Sequence, residues 1–313
     1  MARFLLRQLA AGLVLIFVVT AIVFFLTHLN TSQIARSVMG TAASPAVVAL
    51  KTKELGLDEP IISQYWTWLT SALHGDLGTS YFSAQTILSA LEARLPVTLS
   101  IVAVSVVITA IVSVVIGVGA AVRGGALDKI LQGLTVIGYI FPALLLAILL
   151  VLMFGIALRW VPATGYTAFA NSPALWFQSI ILPAIALAVG GVASVAAQVR
   201  GTMIDELSKD YARTLTTRGL SRSRVVLLHA LRNAAGPALT TLSLQFISML
   251  GGALIIEQIF ALPGFGSYAF TATIQSDLNA VMGVVAFAVV IVVIINIVVD
   301  ILDGVLNPKA RVR

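Results

Sequence analysis

Six stretches of this chain, roughly 9–29, 96–122, 130–157, 179–199, 237–256 and 280–302, are each apolar for 20 residues or more. A hydrocarbon core of about 30 Å needs a helix of about 20 apolar residues at about 1.5 Å rise per residue. Barrel strands cross with about 10 residues, so these runs are far too long for them. Only 10% of the residues are charged and the mean hydropathy is +1.03, whereas a soluble domain carries about a quarter charged residues. So little charge cannot cover a water-facing surface. The expected fold class is all-α integral membrane, with six transmembrane helices.

The first run follows Arg3 and Arg7, as in a secretory signal. It outlasts a typical signal core of about 7–15 residues, and no clean small-x-small site follows, so a retained span is expected. Fourteen of the 19 Lys and Arg residues fall on one side if the six runs alternate. They comprise Arg3 and Arg7, Arg123 and Lys129, seven between runs four and five, and Lys309, Arg311 and Arg313. Cytoplasmic loops carry the Lys/Arg excess, so both termini are expected in the cytoplasm. The net charge of +6 then reports topology, and no nucleic-acid partner is expected.

Cysteine is absent, which excludes disulfides, thiol catalysis and Cys-ligated metals. The three histidines, His28, His74 and His229, are scattered and read as surface or interfacial residues, and no metal site is expected. No Asp, Glu, Lys, Arg or His lies in the interior of any of the six runs; His28 and Asp300 stand at the ends of the first and the last. Ion- or proton-coupled carriers usually need such groups, which cost about 2.5–3.5 kcal/mol each to insert. There is no His-Glu-x-x-His, no Gly-x-Ser-x-Gly and no Gly-Lys pair to complete a phosphate loop. Energy for uphill transport must then come from another subunit. A self-sufficient channel or carrier, and more remotely a membrane enzyme, are the competing classes.

The loop between runs one and two is long. Its apolar residues and the Tyr65-Trp66-Thr67-Trp68-Leu69 cluster predict short interfacial helices ended by Gly75 and Gly78, serving as an aromatic belt or as a docking face. The stretch from Gly201 to Gly236 is the informative one. Asp205 and Glu206 begin a helical pattern that Arg213 and Arg218 end, and Leu207, Tyr211 and Leu215 repeat every four residues. Gly219 stands where a glycine stops a helix, and Ser221 where a second one, about 222–234, would start. The pattern is a helix–turn–helix hairpin, either a solvated connector or a docking element. Within the runs, Gln132, Gln198, Gln245 and Asn296 with Gly117, Gly119, Gly190-Gly191 and Gly251-Gly252 serve helix packing. Alternatively, Gln245, Ser248 and Met249 line a translocation path.

The run Asp210-Tyr211-Ala212-Arg213-Thr214, with Arg218-Gly219-Leu220-Ser221, His229-Ala230-Leu231-Arg232-Asn233 and Pro237, closely resembles the cytoplasmic loop of dipeptide and oligopeptide ABC permeases. These are the inner-membrane components of binding-protein-dependent transport systems. Arg213, Thr214 and Leu215 occupy the Glu-Ala-Ala positions of the importer motif and Gly219 its glycine; Leu215 replaces a small residue, and Arg232 stands where the wider pattern has proline. Leu55-Gly56-Leu57-Asp58-Glu59-Pro60, Gly75-Asp76-Leu77-Gly78-Thr79-Ser80, Arg94-Leu95-Pro96-Val97-Thr98-Leu99, Glu257 to Gly266 and Asn307-Pro308-Lys309 resemble further family segments, in order along nearly the whole chain.

The resemblance implies a type I ABC importer permease fold. Its parts would be an N-terminal helix (1–30), an extracytoplasmic loop (31–94), a five-helix core (95–304) with a coupling hairpin at about 205–236, and a cytoplasmic tail (305–313). It implies half of a translocation pathway for di- or oligopeptides, or for nickel, glutathione or a sugar on the same architecture. The partners would be a second homologous permease, two ATPase subunits that hold ATP and Mg, and an extracytoplasmic solute-binding protein. No cofactor would be bound by this chain and no catalytic residue is expected. Coupling residues would be Asp210, Ala212, Arg213, Thr214, Leu215, Gly219, Leu220, Arg222, Val225, His229 and Arg232.

Overall fold

The computed structural model describes residues 2–28, 31–40 and 42–306, so the Asn307-Pro308-Lys309 motif and the basic tail lie outside the described residues. The described chain is helical apart from turns and an isolated antiparallel bridge between Thr79 and Thr86. The helices are α1 (Ala2–Thr27), α2 (Thr31–Met39), α3 (Pro45–Glu54), α4 (Ile61–Leu73), α5 (Ile87–Arg123), α6 (Gly125–Ile140) and α7 (Ala143–Leu150). They continue with α8 (Pro173–Ser208), α9 (Asp210–Thr217), α10 (Arg222–Arg224), α11 (Leu231–Ile259), α12 (Phe265–Gln275) and α13 (Leu278–Leu306). Wider π turns extend α7 over Val151–Ala157 and join α10 to α11 over Val225–Ala230.

Among the described residues, five helical runs are long and apolar enough to cross a bilayer unbroken: Arg7–Thr27, Ile87–Arg123, Pro173–Ser208, Arg222–Ile259 and Leu278–Val299. The sixth expected span is present but broken, its halves Asp128–Ile140 and Ala143–Ala157 meeting at 95°. Phe141-Pro142 is the cause. Pro142 has no N–H to donate, and its ring pushes Phe141 to extended geometry, at φ −72° and ψ 121°. Hydropathy sees one continuous run there because both residues are apolar.

The chain forms two compact units. The first contains residues 1–96 and 263–294. Tyr65 of α4 packs edge-on to Phe24 of α1, ring centroids 5.2 Å apart, and its hydroxyl reaches Thr20 Oγ1 at 3.1 Å. Tyr65 is therefore a core residue rather than part of an interfacial belt; Trp66 beside it is exposed. His28 is buried as well, stacked on Phe24 and bonded to Gln64 Oε1 at 3.0 Å, which corrects the surface reading.

The loop 74–86 of this unit is held by its own polar groups. Gly75 and Gly78 adopt positive φ, and Gly78 N–H donates to Asp76 Oδ1 at 2.8 Å. Ser80 Oγ donates to the buried Asp277, whose other oxygen accepts from Ala280 N–H and caps α13. Asn279 Nδ2 adds a bond to the Thr79 carbonyl at 2.9 Å, and the Arg94 guanidinium lies 4.5 Å from the Tyr268 ring centroid. Burial, then the Asp277 charge, pushes the Tyr81 phenol up to about 12.

The second unit contains 97–262 and α13 from Ile295. Its centre is α8, of whose apolar window 61% is buried, against 17–33% for the other unbroken spans. Ser105 and Ser113 of α5 donate to the carbonyls of Ala184 and Val192 on α8, each at 3.1 Å. Thr109 approaches the Ala188 carbonyl at 3.5 Å, and Gly117 lies against Ala196. These positions repeat every four residues on both helices at a constant offset, so α5 and α8 run parallel. Small side chains bring the helices together, and hydroxyls then reach the facing carbonyls.

Candidate functional site

The hairpin between α8 and α11 differs from the sequence expectation at both ends. Asp205 and Glu206 do not open its first helix; they belong to the last turns of α8, which runs on to Ser208. The break falls at Lys209, extended at φ −70° and ψ 150°, and α9 starts at Asp210. The stripe Leu207, Tyr211, Leu215 is therefore split between two helices. The second helix is not a separate 222–234 segment, since Arg222–Ile259 is continuously helical and includes the fifth span. Ser221 holds the N-cap position through its backbone carbonyl, without a side-chain cap bond.

A buried carboxylate decides where the chain breaks. Glu206, 7% exposed, accepts Lys209 Nζ on one oxygen. Its other oxygen accepts the Tyr211 hydroxyl at 2.7 Å and Asn233 Nδ2 at 3.1 Å. One side chain so ties the end of α8, the break, α9 and α11. Charged acceptors make the stronger hydrogen bonds, and a half-buried site weakens competition from water. Burial, then the bond to Glu206, holds the Tyr211 phenol above its usual value of 10.0, so it remains a donor at neutral pH. None of Glu206, Lys209, Tyr211 or Asn233 stood among the expected site residues. No sequence signal marked them: two acids there read as the start of a helix, and only the extension of α8 to Ser208 sets them against its dipole and in need of donors.

The end of α9 follows glycine chemistry. Gly219 has φ +87°, its N–H donates to the Thr216 carbonyl at 3.0 Å, and Leu220 N–H donates to the Leu215 carbonyl at 3.2 Å. That pair of bonds is a Schellman closure. Asp210, Arg213, Thr214, Gly219, Arg222 and Arg232 are exposed, while Leu215, Leu220 and His229 are partly so. Ala212 and Val225 are buried and shape the hairpin from within. The Arg213–Asp210 contact, at 3.9 Å between two exposed side chains, adds little stability.

Gln245, Ser248 and Met249 line one cleft of about 160 Å³ with Phe141 and Leu146 from the break, and with Gly190-Gly191 of α8. The broken span and the diglycine open it. Met249 is otherwise buried, whereas Ser248 is exposed. Closer to the hairpin, Arg200 of α8 grips Asp128 of α6 through two bonds of 2.6 Å, and Gln132 donates to the same carboxylate at 2.9 Å. Glu257, fully buried at the end of α11, accepts the hydroxyl of Thr98.

Comparison with known proteins agrees with this architecture. Residues 113–312 match the family described as binding-protein-dependent transport system inner membrane component, and residues 1–102 match the N-terminal part of such membrane components. A Brucella abortus protein, provisionally described as a peptide transport system permease, is 36% identical over 99% of both chains. The glutathione transport system permease GsiC of Salmonella choleraesuis is 33% identical over the whole of both. The solved structure of the methionine ABC transporter MetNI in inward-facing conformations contains a chain with the same fold, at a TM-score of 0.56 and 14% identity, covering 70% of this chain and 97% of that one. A helical chain with six apolar crossings, five unbroken and one bent, that matches this family over most of its length is a transport subunit and not an enzyme: it belongs to the binding-protein-dependent inner membrane components, the permeases of ABC importers.

Proposed function

We propose that this chain pairs with a second, homologous permease to carry di- or oligopeptides inward, driven by two ATPase subunits that hold ATP and Mg. The observation that carries the coupling part is α9: a short exposed helix, closed by Gly219 and tied through Glu206 to both α8 and α11. A helix held that way moves as one body with the spans it joins. Its exposed residues, from Asp210 to Arg218, would sit in a groove of the ATPase, so that closure of the ATPase pair tilts α8 and α11. The cleft lined by Gln245, Ser248 and Met249 lies beside the bend of the third span and would form part of the path wall.

The peptide assignment rests on relatives whose names refer to peptide transport. Glutathione, itself a small peptide, is the second reading and is favoured by the GsiC relatives. Selectivity would rest with an extracytoplasmic solute-binding protein, and the Lys/Arg distribution supports cytoplasmic termini. The test is purification of the tagged chain from its native membrane with its companions. Recovery of a different permease, ATPase subunits and a binding protein that stimulates hydrolysis when loaded with peptide supports the proposal. A chain that transports in liposomes without ATP overturns it.

A further inference from the structure

Where α5 ends, a groove of about 330 Å³ runs between its last turns and the start of the α10–α11 helical run. Val118, Val122, Val226 and Leu227 form its apolar walls, and Arg123, Arg222 and Ser223 its polar rim. Gly119 leaves the α5 side open, because a Cβ there would meet nothing within 4 Å. Arg222 Nη2 donates to the Val122 carbonyl at 2.9 Å, which anchors this guanidinium beside Arg123. The apolar run of α5 ends at Val122. Both guanidiniums therefore lie at the depth where hydrocarbon gives way to headgroups. Among the described residues, no carboxylate forms an ion pair with either arginine.

We propose that this groove binds one anionic phospholipid, with its phosphate on Arg123 and Arg222 and an acyl chain along Val118, Val122 and Leu227. Two uncompensated guanidinium forks match phosphate oxygens in charge and geometry. Basic pockets between helices at a membrane face hold such headgroups. Free phosphate would satisfy the rim but leave the apolar walls in water. A neutral lipid would cover the walls but leave the two charges unmet. Only a ligand with both parts fits the whole groove.

The test uses the complete complex, re-extracted from nanodiscs of equal phosphatidylglycerol and phosphatidylcholine, with retained lipid counted by mass spectrometry. The wild type keeps phosphatidylglycerol in preference, and Arg123→Gln with Arg222→Gln loses about one such lipid per chain. Gly119→Leu loses the same lipid with both arginines intact, because its side chain fills the groove. Arg218→Gln with Arg224→Gln, an equal charge change away from the groove, retains it. Unchanged retention in both groove variants overturns the proposal. So does equal loss in the control pair, which would mark diffuse surface charge. Displacement by inorganic phosphate would reveal a free-anion site, and lipid absent from the complete complex would reveal a subunit contact; either result also overturns it. The lipid count is independent of ATP hydrolysis and uptake, so its failure leaves the importer reading standing.

Discussion

Gly219 holds a backbone conformation that side chains resist, in open space where nothing would clash with a Cβ. Gly219→Ala should therefore cost about 1–2 kcal/mol of local strain and loosen the end of α9. Gly219→Glu should leave insertion intact and abolish uptake; normal uptake at normal expression would remove α9 from the coupling path. Glu206 acts differently, as one carboxylate accepting from three donors. Glu206→Gln turns one acceptor into a donor that faces other donors, a loss of about 1–3 kcal/mol. The expected signature is a complex that still hydrolyses ATP but is no longer stimulated by its loaded binding protein. Full stimulation in this variant would reduce the cluster to a stability role. Gly219 was legible in the sequence because a helix stop depends on local backbone preference. The Glu206 cluster was not, because Asn233 meets Glu206 only after 27 residues of chain have folded back.

At the scale of elements, the α5–α8 contact is set by small and hydroxylated residues spaced four apart. Gly117 has Ala196 O and Val199 Cβ each at 2.8 Å from where a Cβ would stand. Gly117→Leu should force the helices apart at a cost of about 1–3 kcal/mol, lowering the melting temperature of the purified chain in detergent. Gly119→Leu, facing open space, should leave it unchanged; equal loss in both would mean that glycine flexibility, not close packing, matters at this end of α5. The spacing of Ser105, Thr109, Ser113 and Gly117 is visible in the sequence, but which helix it faces is not. Helix ends were the least legible feature. Hydropathy marks the part that needs lipid, while α5 and α8 run on through residues that only packing and hydrogen bonding keep helical.

For the whole molecule, the absence of cysteine makes orientation directly measurable. On intact cells a membrane-impermeant maleimide should label Thr70→Cys, whereas Ser223→Cys should react only after permeabilisation. The reverse pattern would invert the proposed topology and set the hairpin away from any ATPase. Apolar run length determined the class of fold and the six crossings, because a bilayer imposes one requirement, continuous hydrophobic length, on every segment that spans it. Gly219 supplied a helix stop for an equally local reason, and basic-residue placement supplies the orientation that the labelling would test. Tertiary structure alone decided that Tyr65 and His28 are core residues rather than surface ones, since their burial depends on α4 meeting α1. It also decided that Gln245, Ser248 and Met249 share a cleft with the bend at Pro142, and that Arg222 is pinned beside Arg123. A sequence records what each segment requires of its solvent; which segments supply one another's hydrogen-bond and packing partners is fixed only when the helices pack.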